Sequence, residues 1–148
     1  MGVFIGIDPG EHTGIAIWDS SQGQFRDVRT LPLHKALDLV KKEYYAALAS
    51  PVPVRFRVVF EDARQRKWFP QERNNAEYRG KLMGAGAAKR DAKIWEEFLE
   101  DYHIPFVAHK PQAGGTKWNP DYWARITGWK GRTSEHARDA ALLVFQQR

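Results

Sequence analysis

Hydrophobic positions run unbroken in the first part of the chain and recur at helical spacing later. Val3 to Ile7 is an almost continuous apolar run, closed by Asp8, Pro9 and Gly10. A run of that length, ended by turn residues, suits a strand covered on both faces in mid-sheet. Ile15 to Trp18 is a second run and predicts an antiparallel partner joined by a tight loop. A third strand is expected over Gln24 to Thr30, beyond the polar turn Ser20 to Gly23, which completes a meander. Pro32 opens an expected helix, Leu33 to Ser50, with Leu37, Val40, Tyr44, Ala47 and Leu48 on one apolar stripe. Pro51 and Pro53 stop it. Arg55 to Phe60 reads as a fourth strand and finishes in two acids, Glu61 and Asp62.

Glu72 to His103 has helical character, with a possible break where Gly80 to Ala88 is rich in Gly and Ala. Each Gly inside a helix costs roughly 1 kcal/mol against Ala. Several together predict close backbone approach, to the sheet, to a second subunit or to DNA, with tight packing on the sheet as the simplest form. Ile104 to Ala108 is a short fifth strand. Lys110 to Gly131 is long and irregular, with a short helix near Asp121 to Ile126. The last helix starts at an N-cap, Thr133 or Ser134, and is expected to reach the C-terminus on an apolar face of Ala137, Ala140, Ala141, Val144 and Phe145. The order is three strands, helix, strand, helix, strand, helix. It predicts an α/β fold, a mixed sheet with helices on both faces. No repeat or linker divides the chain, so one domain is expected over residues 1–148.

At 148 residues and 43% hydrophobic, the chain can bury a real core. No apolar stretch is long enough to span a membrane, and no signal-peptide pattern opens the sequence. The absence of Cys excludes disulfides and thiolate metal sites and fits a reducing, cytoplasmic setting. The formal net charge of +5 points to a polyanionic partner. Much of that charge sits beside aromatic residues. Arg64, Arg66, Lys67 and Trp68 form one such group, and Lys117, Trp118, Lys130 and Arg132 another. Cations with stackable rings are how distorted or unpaired nucleic acid is gripped. The competing reading is a solvated loop for the first group and a minor Trp core for the second.

Three distant places put a carboxylate where an element meets a cleft. Asp8 ends the first strand, and Glu61 or Asp62 ends the fourth; alternation allows only one of that pair to face a given site. Asp139 lies early in the last helix, and His136, three residues before it, shares its face. If the first and fourth strands are neighbours, Asp8 and Glu61 emerge side by side. Clustered carboxylates repel, and a divalent cation relieves them. Oxygen ligands with one imidazole suit Mg²⁺ or Mn²⁺.

These residues carry a resemblance. Gly6-Ile7-Asp8-Pro9-Gly10 with Thr13-Gly14 resembles the opening of the RuvC-type Holliday junction resolvases, in the RNase H-like superfamily. Val58-Val59-Phe60-Glu61 resembles the strand with that family's second acid, and Glu135-His136-Ala137-Arg138-Asp139-Ala140-Ala141 its C-terminal helix, in the variant where His replaces one Asp. The resemblance implies an RNase H-like, five-stranded mixed sheet flanked by helices. It implies Mg²⁺-dependent hydrolysis of phosphodiesters in four-way DNA junctions by a homodimer that makes two symmetric nicks. Asp8, Glu61, His136 and Asp139 fall on the four catalytic, metal-holding positions. The Trp-rich segment Lys110 to Arg132 is unlike the usual form of the family. A nuclease acting on other branched, flapped or RNA-containing substrates, and a non-catalytic DNA-binding protein, share the scaffold. An actin-like ATPase would need two such domains.

Overall fold

The computed structural model describes residues 1–66, 76–111 and 117–148. Five strands form one sheet: β1 (Gly2–Asp8), β2 (His12–Asp19), β3 (Gln24–Pro32), β4 (Arg55–Glu61) and β5 (Phe106–His109). Their order is β3-β2-β1-β4-β5. β1, β2 and β3 pair antiparallel as a meander, while β4 runs parallel to β1 and β5 parallel to β4. Among the described residues four helices accompany them: α1 (Leu33–Leu48), α2 (Ala76–Asp101), α3 (Pro120–Thr127) and α4 (Glu135–Leu142). The α/β class, the mixed sheet and the meander agree with the sequence pattern. Among the described residues no helix is long and apolar enough to cross a membrane.

Alternation along β1 explains why both faces are covered. Val3, Ile5 and Ile7 point to one side and join Ile15, Ile17, Val58 and Phe60 under α1 and α2, where Val40, Trp95 and Leu99 meet them. Phe4 points to the other side and joins Ala16, Trp18, Phe25 and Val59 under α3 and α4, against Trp123, Ala137, Ala140 and Val144. An apolar run with no polar break therefore serves two layers at once.

α4 lies almost on the backbone of the sheet. A methyl placed on Gly6 would stand 2.9 Å from the Ala140 carbonyl carbon, and nearer still to its oxygen. One placed on Gly14 would stand 3.0 Å from the Ala137 nitrogen, and nearer still to the His136 carbonyl. Side chains at these two positions would hold the helix away, so glycine is what lets it seat.

Several expectations need correction. The last helix does not reach the C-terminus: it ends at Leu142, and the chain turns on through a left-handed Gln146 with φ 62°. α2 is continuous from Ala76 to Asp101, without a break; the expected start at Glu72 lies outside the described residues. Gly80, Gly84 and Gly86 do not pack on the sheet. Among the described residues nothing lies within 4 Å of where a Cβ would be at any of them, and Met83 beside them is 78% exposed. The buried residues of α2 are Asp91, Ala92, Trp95 and Leu99, all in its second half. β5 begins at Phe106 rather than Ile104. A short 3-10 turn at Ala63–Gln65, which the sequence pattern did not reveal, follows β4.

Candidate active site

The C-terminal ends of β1, β4 and β5 lie along one end of the sheet. Asp8 ends β1, and the parallel register Ile7 to Phe60 brings Glu61 beside it on the neighbouring strand. Both continue the faces of Phe4 and Val59, the side that α4 covers. α4 is started there by Ser134, whose hydroxyl accepts from the Ala137 N–H at 3.0 Å. Its first turns carry His136 and Asp139 over the strand ends.

These groups meet. His136 Nδ1 is hydrogen-bonded to Asp8 Oδ2 at 2.8 Å, across 128 residues of sequence. Burial pushes the Asp8 carboxyl up from the ordinary range, and the Asp139 charge adds to the rise; the His136 contact and the Lys117 charge oppose it. Burial likewise raises Glu61, followed by the charges of Asp8 and Asp139, with Arg66 and His109 opposing. Asp8, Glu61 and Asp139 thus act on one another electrostatically. Lys117 stands among them: its ammonium pairs with Glu135 and lies 3.8 Å from Asp139 Oδ2.

The alternative second acid, Asp62, is turned the other way. Its carboxylate takes both Arg64 Nε at 2.8 Å and Arg64 Nη2 at 2.9 Å, and it caps the 3-10 turn through the Arg64 N–H. Arg64 Nη1 reaches on to Glu96 of α2 at 2.7 Å. The Arg64 contacts hold Asp62 below the usual carboxylate range. Alternation has sent Glu61 to the α4 side and Asp62 to the α2 side.

The expected DNA-contact residues divide. Arg64 is tied into the pair just described and is not a free cation. Arg66, Lys130 and Arg132 are exposed. Lys117 is exposed but sits among the acids. The Trp118 ring packs 5.8 Å from Trp123 and 5.5 Å from Phe145, a core position and not an open platform. Lys67 and Trp68 lie outside the described residues.

One structural residue escaped the sequence pattern. Arg138 is nearly buried on α4; its Nε donates to the Trp118 carbonyl at 2.9 Å and its Nη1 to the Thr133 carbonyl at 2.7 Å. It clips the segment that carries Lys117 onto the helix that carries His136 and Asp139. An Arg beside two alanines on an apolar helix face was the available signal.

The donor chemistry fits a hard divalent cation: three mutually repelling carboxylates and one imidazole at one sheet end. Among the described residues, however, no three His, Asp or Glu side chains are grouped so as to hold an ion as they stand. The acids converge without forming a closed cage. A separate cleft, lined by Trp18, Ser20, Thr127, Phe145 and Gln147, lies toward the opposite end of β2, away from the acids. No protein-family model matches the chain, and no curated protein matches it.

Proposed function

We propose that this chain is a divalent-metal-dependent endonuclease of the RuvC type on an RNase H-like scaffold, cutting four-way DNA junctions as a homodimer. The observation that supports it is the meeting of Asp8, Glu61, Asp139 and His136, from three distant stretches, at one end of the sheet. In this reading those four side chains hold Mg²⁺, or Mn²⁺ in its place. When bound, such ions activate a water and stabilise the departing oxygen of a phosphodiester. The chain's own part is to fix the ligands on rigid elements: two on strand ends, two on a helix seated against glycine. In this reading the exposed Arg66, Lys130 and Arg132 supply phosphate contacts, which position the nucleic acid without reading its sequence.

The test is cleavage of a labelled four-way junction with Mg²⁺, mapping both strands. Paired nicks at symmetric positions are expected, and Asp8→Asn is expected to lower cleavage by at least about 10³-fold while binding changes little, as for loss of a transition-state interaction. Full activity in Asp8→Asn removes the acid site from the reaction. A panel of flaps, duplexes and RNA–DNA hybrids tests the substrate: equal cleavage of all of them counts against junction specificity and for a broader nuclease on the same scaffold.

A further inference from the structure

His109 was not among the residues that the sequence pattern singled out. It ends β5, and the parallel register sets it directly opposite Glu61. The backbone fixes that neighbour: the Asp62 N–H donates to the His109 carbonyl at 2.7 Å. Along β5, Phe106 and Ala108 pack toward α1 and α2, so Val107 and His109 project to the opposite side. That is the side on which Asp8, Glu61 and α4 stand. Asp8, Glu61 and His109 therefore end three adjacent parallel strands on one face, and His109 is exposed there.

The ring is also oriented. His109 Nδ1 lies 2.7 Å from the Lys110 carbonyl oxygen. A carbonyl only accepts, so Nδ1 carries the proton, and in the neutral ring Nε2 presents a lone pair. An imidazole held through one nitrogen by a backbone carbonyl, with the other nitrogen left to face a site, is the arrangement that metal-ligating histidines use. His109 stands close enough to Glu61 to act on its carboxyl electrostatically.

We propose that His109 Nε2 and Glu61 form a second, nitrogen-containing half-site for a divalent cation, separate from the Asp8, His136 and Asp139 half. This rests on the nuclease reading and deepens it. With one carboxylate and one imidazole from the protein, the remaining positions of that ion are open to phosphate oxygens of the substrate. Imidazole nitrogen favours transition metals over Mg²⁺, so this half-site discriminates in favour of Mn²⁺.

The test is titration calorimetry of the full chain with Mn²⁺ and with Mg²⁺, together with pulsed electron paramagnetic resonance of bound Mn²⁺ to detect coupled ¹⁴N. His136→Ala is the background, so that any remaining nitrogen coupling comes from elsewhere. Expected is a ¹⁴N coupling in His136→Ala that disappears in His136→Ala/His109→Ala, with Mn²⁺ affinity at one site at least tenfold weaker and Mg²⁺ affinity changed less. His109→Gln, which keeps a polar side chain at the strand end, serves as the second variant and should lose the coupling too. Unchanged affinity, or a nitrogen coupling that survives both His109 substitutions, overturns the proposal and leaves the nuclease reading standing. No Mn²⁺ binding by the unaltered chain overturns both.

Discussion

Gly14→Ala is the substitution that most directly probes how the site is held. Its methyl would lie 3.0 Å from the Ala137 nitrogen and nearer still to the His136 carbonyl. Uncharged heavy atoms settle at about 3.5–4.0 Å. α4 must therefore withdraw by roughly 1 Å, because the obstacle is helix backbone on one side and strand backbone on the other, with no side chain to swing aside. Overpacking of this kind costs about 1–3 kcal/mol, and an obstacle made of backbone puts this case at the upper end. For a chain of this size, about 3 kcal/mol lowers Tm by about 10 °C. The same movement carries His136 and Asp139 away from Asp8 and Glu61. A misplacement of about 1 Å costs about 10²-fold in rate. The assay is thermal melting followed by cleavage with DNA and Mg²⁺ in excess, below the melting range. A Tm within about 2 °C of the unaltered chain refutes the close approach of α4. A large fall in Tm with normal turnover by the folded protein refutes the link between that approach and catalysis.

Glu61→Gln and Asp62→Asn should behave oppositely. Asp62→Asn breaks a fork to Arg64 that is nearly buried on the acid side, so it should lose about 2 kcal/mol by denaturant titration and keep cleavage; Glu61→Gln should keep stability and lose cleavage. Asp19 gives a pH dependence away from the site. Burial raises its carboxyl, but hydrogen bonds from Ser21 and Gln22 outweigh that and hold it below its ordinary value. A depressed folded pKa contributes stability above the unfolded value near 4 that is lost as pH falls through the folded value. Asp19→Asn should therefore destabilise by about 1 kcal/mol at pH 7 and by progressively less below pH 4; an equal deficit at both ends of a pH series of melts would contradict it. Gly84→Ala meets open space in a helix interior and should stabilise by up to about 1 kcal/mol. A loss of stability there, read by the same melts, would mean that the face is covered.

The parts of the fold legible in the sequence are those in which the element's own periodicity decides a residue's fate. The runs Val3 to Ile7 and Val58 to Phe60 could be read because strands buried on both faces leave no polar positions. The spacing of His136 and Asp139 was readable because helix periodicity places them on one face whatever surrounds them. What was illegible depended on which second element arrives. Gly6 and Gly14 lie under α4 and are used for close approach, whereas Gly80, Gly84 and Gly86 look as promising in sequence and face open space. His109 could not be singled out until the register opposite Glu61 was known. Trp118 read equally as a stacking platform or as core, and its packing with Trp123 and Phe145 decided it.

The electrostatics of the site sort its cations into two kinds. Arg64 is held by two acids, one of them almost fully buried, so drawing it toward a phosphate would leave Asp62 charged and unpaired. Its role is to hold the end of β4 against α2, and this is what leaves Glu61 as the acid on the other side. Lys117 is 63% exposed, and its ion pairs among the described residues are with partly exposed carboxylates, contacts worth little in water. It can leave Asp139 at small cost, and Arg138 keeps its backbone beside α4 while it does so. A divalent ion entering among Asp8, Glu61 and Asp139 would repel that ammonium and replace its charge. On the proposed nuclease reading, arriving DNA would then offer the displaced Lys117 a phosphate. Metal and DNA binding should therefore favour each other through Lys117. Substituting it with Met should weaken DNA binding more in the presence of Mg²⁺ than in its absence, whereas a loss of equal size in both conditions would show that the ammonium never moves.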